Sequence, residues 1–406
     1  MNPILCQEAL IRKVRAFFIL LQMILFVGCQ TPRVVIRHSQ STDNPVVQQQ
    51  QQQQAPVVKQ RPTLFTVSFL GDVILHERLR HHEEVSNEGY EKIWSSIQPY
   101  IDAADISYAN LEGPVAPEVG GVSGFPLFNY PEEIIPTLKD HGFDIVSTAN
   151  NHALDRKSKG IIKTIENLKK YNLAFSGTVT SSKSAADGTE AWWGLTPLPN
   201  TSSYIAWVAC TEMTNGNKDV DELVLYCYKD REIVKALVQQ LKTMPDIAGI
   251  ILTPHWGEEE KFDIALGRKI WAHQMLDLGA LAIVGSHPHV VQKMEEYTTA
   301  DGRKTFIAYS MGNFVSNQPW TPNKTSMMLL AKFRMTPKYQ LEIDQIKYIP
   351  LWMNRTTDHD GTSKFRLEPV WDLSKKPTDA VKIWNEQLGK ELRLRSDDDV
   401  NFFFQK

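Results

Sequence analysis

The sequence predicts an α/β protein whose strands deliver polar residues to one shared edge, and two observations carry that prediction. Short apolar runs rich in β-formers alternate with segments of helical period, the pattern of layered α/β packing. Six of those runs end in a cluster of His, Asp, Asn or Glu. In an α/β protein, ligands sit outside the carboxyl ends of buried strands, so the six clusters point to one cleft.

The first sixty residues stand outside this pattern. Arg12, Lys13 and Arg15 precede an apolar stretch over 16–27, and Gly28-Cys29 follows at once. The stretch is short for a transmembrane helix and has the flanks of an export signal. A small residue before a cysteine resembles the lipobox of bacterial lipoproteins, although Phe26 stands where Leu is usual. Residues 1–29 are thus expected to be a lipoprotein signal, with Cys29 lipidated and the protein anchored to a membrane of the cell envelope, periplasmic or surface-exposed. An uncleaved anchor leaves it on the same side. Residues 30–62 read as a tether: Gln48 to Gln54 is an unbroken glutamine tract between Pro45 and Pro56, without periodicity to build a core.

Folding signals begin at Leu64. The strand-like runs are 64–70, reaching Gly71-Asp72; 106–109, reaching Asn110-Leu111-Glu112; and 143–147, reaching Asn150-Asn151-His152. Then come 249–253, reaching His255-Trp256-Gly257; 281–284, reaching Ser286-His287-Pro288-His289; and 305–309, reaching Gly312-Asn313. Helical period marks 132–141, 158–171, 230–244 and 267–278, with Asn172 a plausible stop for the second. Residues 178–203, rich in Ser, Thr and Gly, suggest a loop or an edge hairpin. Residues 326–335 and 340–349 lack an intervening helix and read as antiparallel strands, and a helix is expected from Thr378 to about Arg393. The folded part divides into a main domain over 63–355 and a C-terminal extension over 356–406, whose helix packs on it.

Composition sets limits. With 406 residues, 42% hydrophobic and 22% charged, the chain can bury a sizeable core. The net charge is −3, and loss of residues 1–29 removes three basic residues and one acid, leaving −5. No basic excess supports nucleic-acid binding. Outside the leader only Cys210 and Cys227 remain. In an exported chain they either pair across a loop or stay as buried thiols.

The chemistry lies at the strand ends. Neutral imidazole is the commonest nitrogen ligand for transition metals, which makes His255, His287 and His289 the first candidates. A shared extended direction across His287-Pro288-His289 would aim both rings into one cleft. Asp72 and Glu112 supply anionic oxygens, one of which could bridge two cations. In Asn150-Asn151-His152-Ala153-Leu154-Asp155, an amide can ligate a metal while His152 stays free for proton transfer, its ring held by Asp155. Each feature alone reads as a turn, a cap or a structural histidine; the set does not.

In this order the motifs resemble the CapA family, named for poly-γ-glutamate capsule synthesis and placed in the calcineurin-like metallophosphatase fold. The likeness spans about residues 64–353 and includes Tyr348-Ile349-Pro350-Leu351-Trp352. It implies a metallophosphatase-like α/β/β/α sandwich: two packed mixed sheets flanked by helices. It implies Asp72, Glu112, Asn151, His255, His287 and His289 as ligands of divalent ions, two in number and of Mn, Fe or Zn type. It also implies His152 as the residue facing the scissile bond, Asn110 and Asn313 shaping the cleft, and an anionic polymer or phosphoester as substrate. One departure stands out: where the superfamily has His two residues after the Asp, this chain has Ile74. His76 is the candidate to compensate, unless the strand-to-helix turn points it elsewhere. Glu112, where Asp is usual, adds a methylene.

Overall fold

The computed structural model describes residues 63–80, 89–357 and 363–405; the leader, Cys29 and the tether lie outside them. Fourteen strands are described: β1 (Leu64–Val73), β2 (Ile106–Leu111), β3 (Ile145–Ser147), β4 (Ala174–Ser176), β5 (Trp193–Pro197), β6 (Tyr204–Thr211), β7 (Ile247–His255), β8 (Ala282–Val284), β9 (Met294–Thr298), β10 (Lys304–Ala308), β11 (Asn313–Val315), β12 (Thr325–Met335), β13 (Leu341–Thr357) and β14 (Ser363–Pro369). Eight build one sheet in the order β14-β13-β12-β1-β2-β3-β4, with β11 beside β1. Six build the other, β5-β6-β7-β8-β10-β9. Both are mixed: β1 to β4 and β6 to β8 with β10 run parallel, while the hairpins at the flanks run antiparallel.

The sheets face each other across an aromatic layer. Inward positions alternate along each strand, so Phe65, Val67 and Phe69 of β1 and Tyr108 of β2 join Trp207 and Phe306 of the second sheet in one core. Tyr108 stacks on Trp207 at 5.3 Å, and Phe69 meets Phe306 edge-on at 6.3 Å. The opposite faces take helices. On the first sheet these are α1 (Glu77–Arg80), α2 (Gln98–Ala103) and α3 (Ile134–Asp140), which share a core with Leu70, Leu111 and Val146. The helix α4 (Lys157–Lys170) buries Ile161, Ile165 and Leu168 on one stripe and stops before Asn172, whose φ is 53°. After the short α5 (Ser182–Ala186) come α6 (Arg231–Thr243) and α7 (Leu266–Leu278), packed through Val234, Val238, Trp271 and Met275 on the outer face of the second sheet. The α/β/β/α layering is therefore present.

The four central helical stretches match the sequence periodicity closely. The C-terminal one does not extend as expected. After α8 (Thr321–Lys324), helix α9 spans Thr378–Gln387 rather than reaching Arg393. Gly389 turns the chain at φ 77°, and Leu392 and Leu394 pair with Tyr348 of β13 instead. Strand β13 runs to Thr357, past the expected boundary at 355, and β14 pairs along its end. A last helix, α10 (Asp397–Phe404), is capped by Ser396. Residues 193–211 form the edge hairpin β5–β6.

Cys210 and Cys227 are bonded, tying the loop after β6 to that strand's end. Within β1 the register to β2 shifts between Phe69 and Asp72. Such a bulge re-aims the following side chain, here Asp72. Gly71 is required at this spot, since a Cβ there would lie 1.8 Å from the carbonyl oxygen of Gly312.

Candidate metal centre

The carboxyl ends of β1, β2, β3, β7 and β8, with β11, converge on one buried cluster. Asp72, Glu112, Asn151, His255, His287 and His289 are all at most 3% exposed. Two overlapping triads, Glu112–His287–His289 and Asp72–Glu112–His255, each present three ligand atoms within 4.8 Å of one another. Glu112 belongs to both. Its Oε1 lies 3.7 Å from His255 Nε2 and 3.6 Å from His289 Nε2, too far for hydrogen bonds. The spacing is that of atoms sharing one ion at about 2.0–2.2 Å each. Buried and without a hydrogen-bond partner among the described residues, that oxygen fits a cation.

Surrounding groups fix which ring nitrogen faces inward. His289 Nδ1 donates to Asp72 Oδ2 and Asn313 Oδ1, both at 3.1 Å, which leaves Nε2 toward Glu112. His255 Nδ1 meets Ser286 Oγ at 2.8 Å, and its Nε2 lies 3.0 Å from Asn151 Oδ1 and 3.2 Å from His287 Nδ1. Such outer contacts set ligand tautomer and basicity. Asn110 is the hub: its Nδ2 donates to Asp72 Oδ1 at 2.8 Å and lies 3.2 Å from His255 Nδ1, while Oδ1 accepts from Ser147 at 2.7 Å. The amide of Asn313 also donates to Gln318 and to the Asn323 carbonyl.

As protein alone, the cluster opposes itself. Burial, and then the Asp72 charge, push the Glu112 carboxyl well above its usual range. Burial, and then His287 and His289, hold the His255 imidazole well below its own. Burial, followed by His289, lowers His287 to about 3. Neutral imidazoles are the form that binds a metal, and a cation is the charge that would relieve the carboxylates.

The His287-Pro288-His289 backbone departs from the extended direction expected of it. His287 has φ 98° and His289 φ 57°, conformations rare for non-glycine residues and concentrated at functional sites. The rings converge because the chain is bent there. Gly285, just before, leaves no room for a side chain, its Cβ position lying 2.2 Å from the Tyr309 carbonyl oxygen.

Beside the cluster stands His152, 7% exposed. Its Nδ1 lies 2.7 Å from Asp155 Oδ2, which also accepts from the Phe128 N–H at 2.7 Å. The ring packs edge-on against Phe128 at 4.6 Å. Nε2 faces Asn215 Nδ2 at 3.4 Å. Asn215 comes from the disulfide-tied loop of the second sheet and belongs to no motif, so nothing in the sequence marked it. Ile74 is core, its N–H bonded to the Val315 carbonyl. His76 does not join the ligand set: its Nδ1 accepts from the Asn317 N–H at 3.3 Å and its ring stands edge-on to Phe128. The turn into α1 directs it to the rim.

A two-sheet α/β sandwich with a buried histidine–carboxylate cluster at its strand ends defines a class of protein able to hold divalent cations. The chain belongs to the bacterial capsule synthesis protein family PGA_cap, whose model matches residues 66–318. It is 27% identical over 353 residues to the capsule biosynthesis protein CapA of Bacillus anthracis, covering 84% of this chain and 80% of that one. It is 28% identical over 293 residues to the PGA biosynthesis protein CapA of Bacillus subtilis (strain 168), covering 68% and 71%. Among solved structures, the NAD nucleotidase NadN of Haemophilus influenzae aligns with a TM-score of 0.42 and 12% identity over 84% of this chain and 66% of that one.

Proposed function

We propose that this protein serves capsule or exopolymer synthesis or processing of the poly-γ-glutamate type, as a metal-dependent hydrolase of the cell envelope. The observation that carries the reading is the orphaned Glu112 oxygen, faced by His255 and His289 and shared by two candidate ligand triads. Asp72, Glu112, Asn151, His255, His287 and His289 would hold the ions, two of them and of Mn, Fe or Zn type. Bound there, divalent ions supply Lewis acidity and an activated water. The chain's own residues do the rest. Asp155 keeps the His152 ring oriented, so Nε2 is the nitrogen available to hand a proton to a leaving oxygen or nitrogen. Asn110 and Asn313 hold Asp72 and His289 in place. Phe128 walls His152 on its apolar side and limits water.

The relatives, named for capsule and PGA biosynthesis, support an anionic polymer as the substrate class; a phosphoester is the alternative that the motif resemblance implies. The leader and Cys29 would anchor the chain to a membrane. No described helix is long and apolar enough to cross one. A second reading is a polymer-binding or assembly component without turnover. Ile74, buried where a further ligand is expected, favours it.

The test uses the purified chain, its bound metal measured and its hydrolysis of a chromogenic phosphodiester compared with poly-γ-glutamate binding, for wild type and His152→Ala. Metal-dependent turnover lost in the variant supports the hydrolase. Stoichiometric metal with polymer binding but no turnover on a substrate panel selects the second reading.

A further inference from the structure

The His152 ring is braced at one nitrogen by Asp155 and walled by Phe128, and both come from loops of the first sheet. Its other nitrogen is met from the second sheet. Residues 212–226 leave the end of β6 and return to Cys227, and this strap carries Asn215, whose Nδ2 lies 3.4 Å from His152 Nε2. That distance is at the long end of hydrogen bonding, so the weight of the contact depends on how firmly the strap is held.

The strap is fastened along its whole length. At its root lie the Cys210–Cys227 bond and two backbone bonds, Thr211 N–H to the Leu225 carbonyl at 2.9 Å and Cys227 N–H to the Thr211 carbonyl at 2.8 Å. It is laced to the first sheet where the Leu225 N–H donates to the Gly177 carbonyl at 2.9 Å and the Val179 N–H to the Leu223 carbonyl at 3.0 Å. Its outer part is tied to the start of α4, where Lys157 donates to Asn217 Oδ1 and Ser158 to Asp221. Around Asn215 the turn closes on itself. Thr214, 5% exposed, donates its hydroxyl to the Asn217 carbonyl at 2.7 Å, and the Asn217 N–H returns to the Thr214 carbonyl at 2.8 Å. The two residues between have φ 49° at Asn215 and 74° at Gly216, and asparagine is one of the few non-glycine residues that take this conformation readily. The Asn215 side chain is therefore held out from a closed turn.

An amide suits this place. A proton-transferring imidazole nitrogen alternates between donor and acceptor. A carboxylate beside it only accepts and an ammonium only donates, whereas an amide carries both kinds of group and can face Nε2 in either state. It does so without adding charge next to a cluster that already holds two carboxylates.

We propose that Asn215 is a positioning residue: with Asp155 it brackets the two nitrogens of His152, so that the strap of the second sheet sets the direction in which Nε2 meets the substrate. Its part in turnover rests on the hydrolase reading above; its hold on the ring does not.

The experiment compares wild type, Asn215→Gly and the control Asn200→Gly, whose asparagine also has positive φ, 60°, in the turn between β5 and β6. Glycine accepts both backbone conformations, so each variant removes a side chain and keeps its turn. Metal content and melting temperature are recorded for each. Ring nitrogens of the zinc-loaded full chain are read by ¹⁵N NMR at one pH, the His152 signals being assigned with His152→Ala, and hydrolysis of a chromogenic phosphodiester gives kcat and KM. The expected result is that His152 signals move in Asn215→Gly alone and kcat falls about tenfold, as for one lost hydrogen bond, while KM and metal content hold. Unmoved His152 signals in Asn215→Gly overturn the proposal, with or without turnover. Loss of metal or of folding in Asn215→Gly but not in the control also overturns it, since the residue is then structural. Moved signals in a protein whose wild type has no metal-dependent turnover keep Asn215 on the His152 ring and overturn the hydrolase reading instead.

Discussion

Two loops of the site, 285–289 and 150–155, present histidines in opposite ways. In the first, the backbone does the positioning: His287 and His289 hold positive φ, Gly285 is pressed against the Tyr309 carbonyl, and the ring nitrogens meet other buried groups. In the second, a side chain does it: Asp155 grips one nitrogen of His152 and leaves the other toward Asn215 and the cleft. A metal ligand must hold still, and backbone strain fixed by packing achieves that. A proton-transferring group must keep one nitrogen free. Under the proposed function this contrast would separate binding from chemistry, so variants in the two loops should fail differently.

The largest effect should come from the centre of the first arrangement. Glu112→Gln removes the anionic oxygen common to both triads, and bound metal should fall by about a hundredfold in affinity or more, read by elemental analysis after dialysis. Unaltered metal content would break the assignment of Glu112. His152→Ala should leave metal content intact and reduce turnover by about 10²–10⁴-fold. Equal loss of metal in this variant would erase the distinction between the loops. Removing the disulfide with Cys210→Ser and Cys227→Ser together opens a loop with a sequence separation of 17, which should cost about 3 kcal/mol in chemical denaturation. It should also loosen Asn215 beside His152 without touching the ligand loop. Ser286→Ala, which strips His255 Nδ1 of its hydroxyl partner, should weaken metal affinity by only about 10–100-fold.

Acidification of the metal-free protein sharpens the same comparison. His287 and His76 are lowered to about 3 and about 4, and His255 well below its usual value. Below the unfolded histidine value near 6.5, the unfolded chain takes up protons that these folded imidazoles refuse. Stability is therefore highest above that value and falls as pH drops toward about 3–4. Glu112 works the other way, its raised carboxyl favouring the fold at lower pH, but three histidines outweigh one glutamate. The denaturation midpoint should decrease from pH 7 to pH 5.5. A flat or rising midpoint would show that the cluster is less buried in solution.

The six strand ends were legible in the sequence because strand termini are local: an apolar run, a turn residue, then a polar cluster. Their helices were legible for the same reason, with 3.6-residue periodicity over 10–15 residues. The backbone of 287–289 was not, since a positive φ in histidine depends on what packs around it. Nor was the C-terminal stop of α9, where Leu392 and Leu394 gain more by pairing with Tyr348 than by continuing a helix. Asn215 carries no motif and meets His152, far from it in sequence.

By itself, then, the amino-acid sequence determined the alternation of strands and helices, the residue types at the strand ends, and the family those motifs mark. Only the tertiary structure decided which ring nitrogens face Glu112, that Asp72 is re-aimed by a bulge over Gly71, that Ile74 belongs to the core, and that His76 turns to the Asn317 N–H and Phe128. The physical reason is range. Periodicity and turn chemistry are set by neighbours in the chain, whereas ligand orientation and charge pairing are set by groups that meet only once the two sheets have closed.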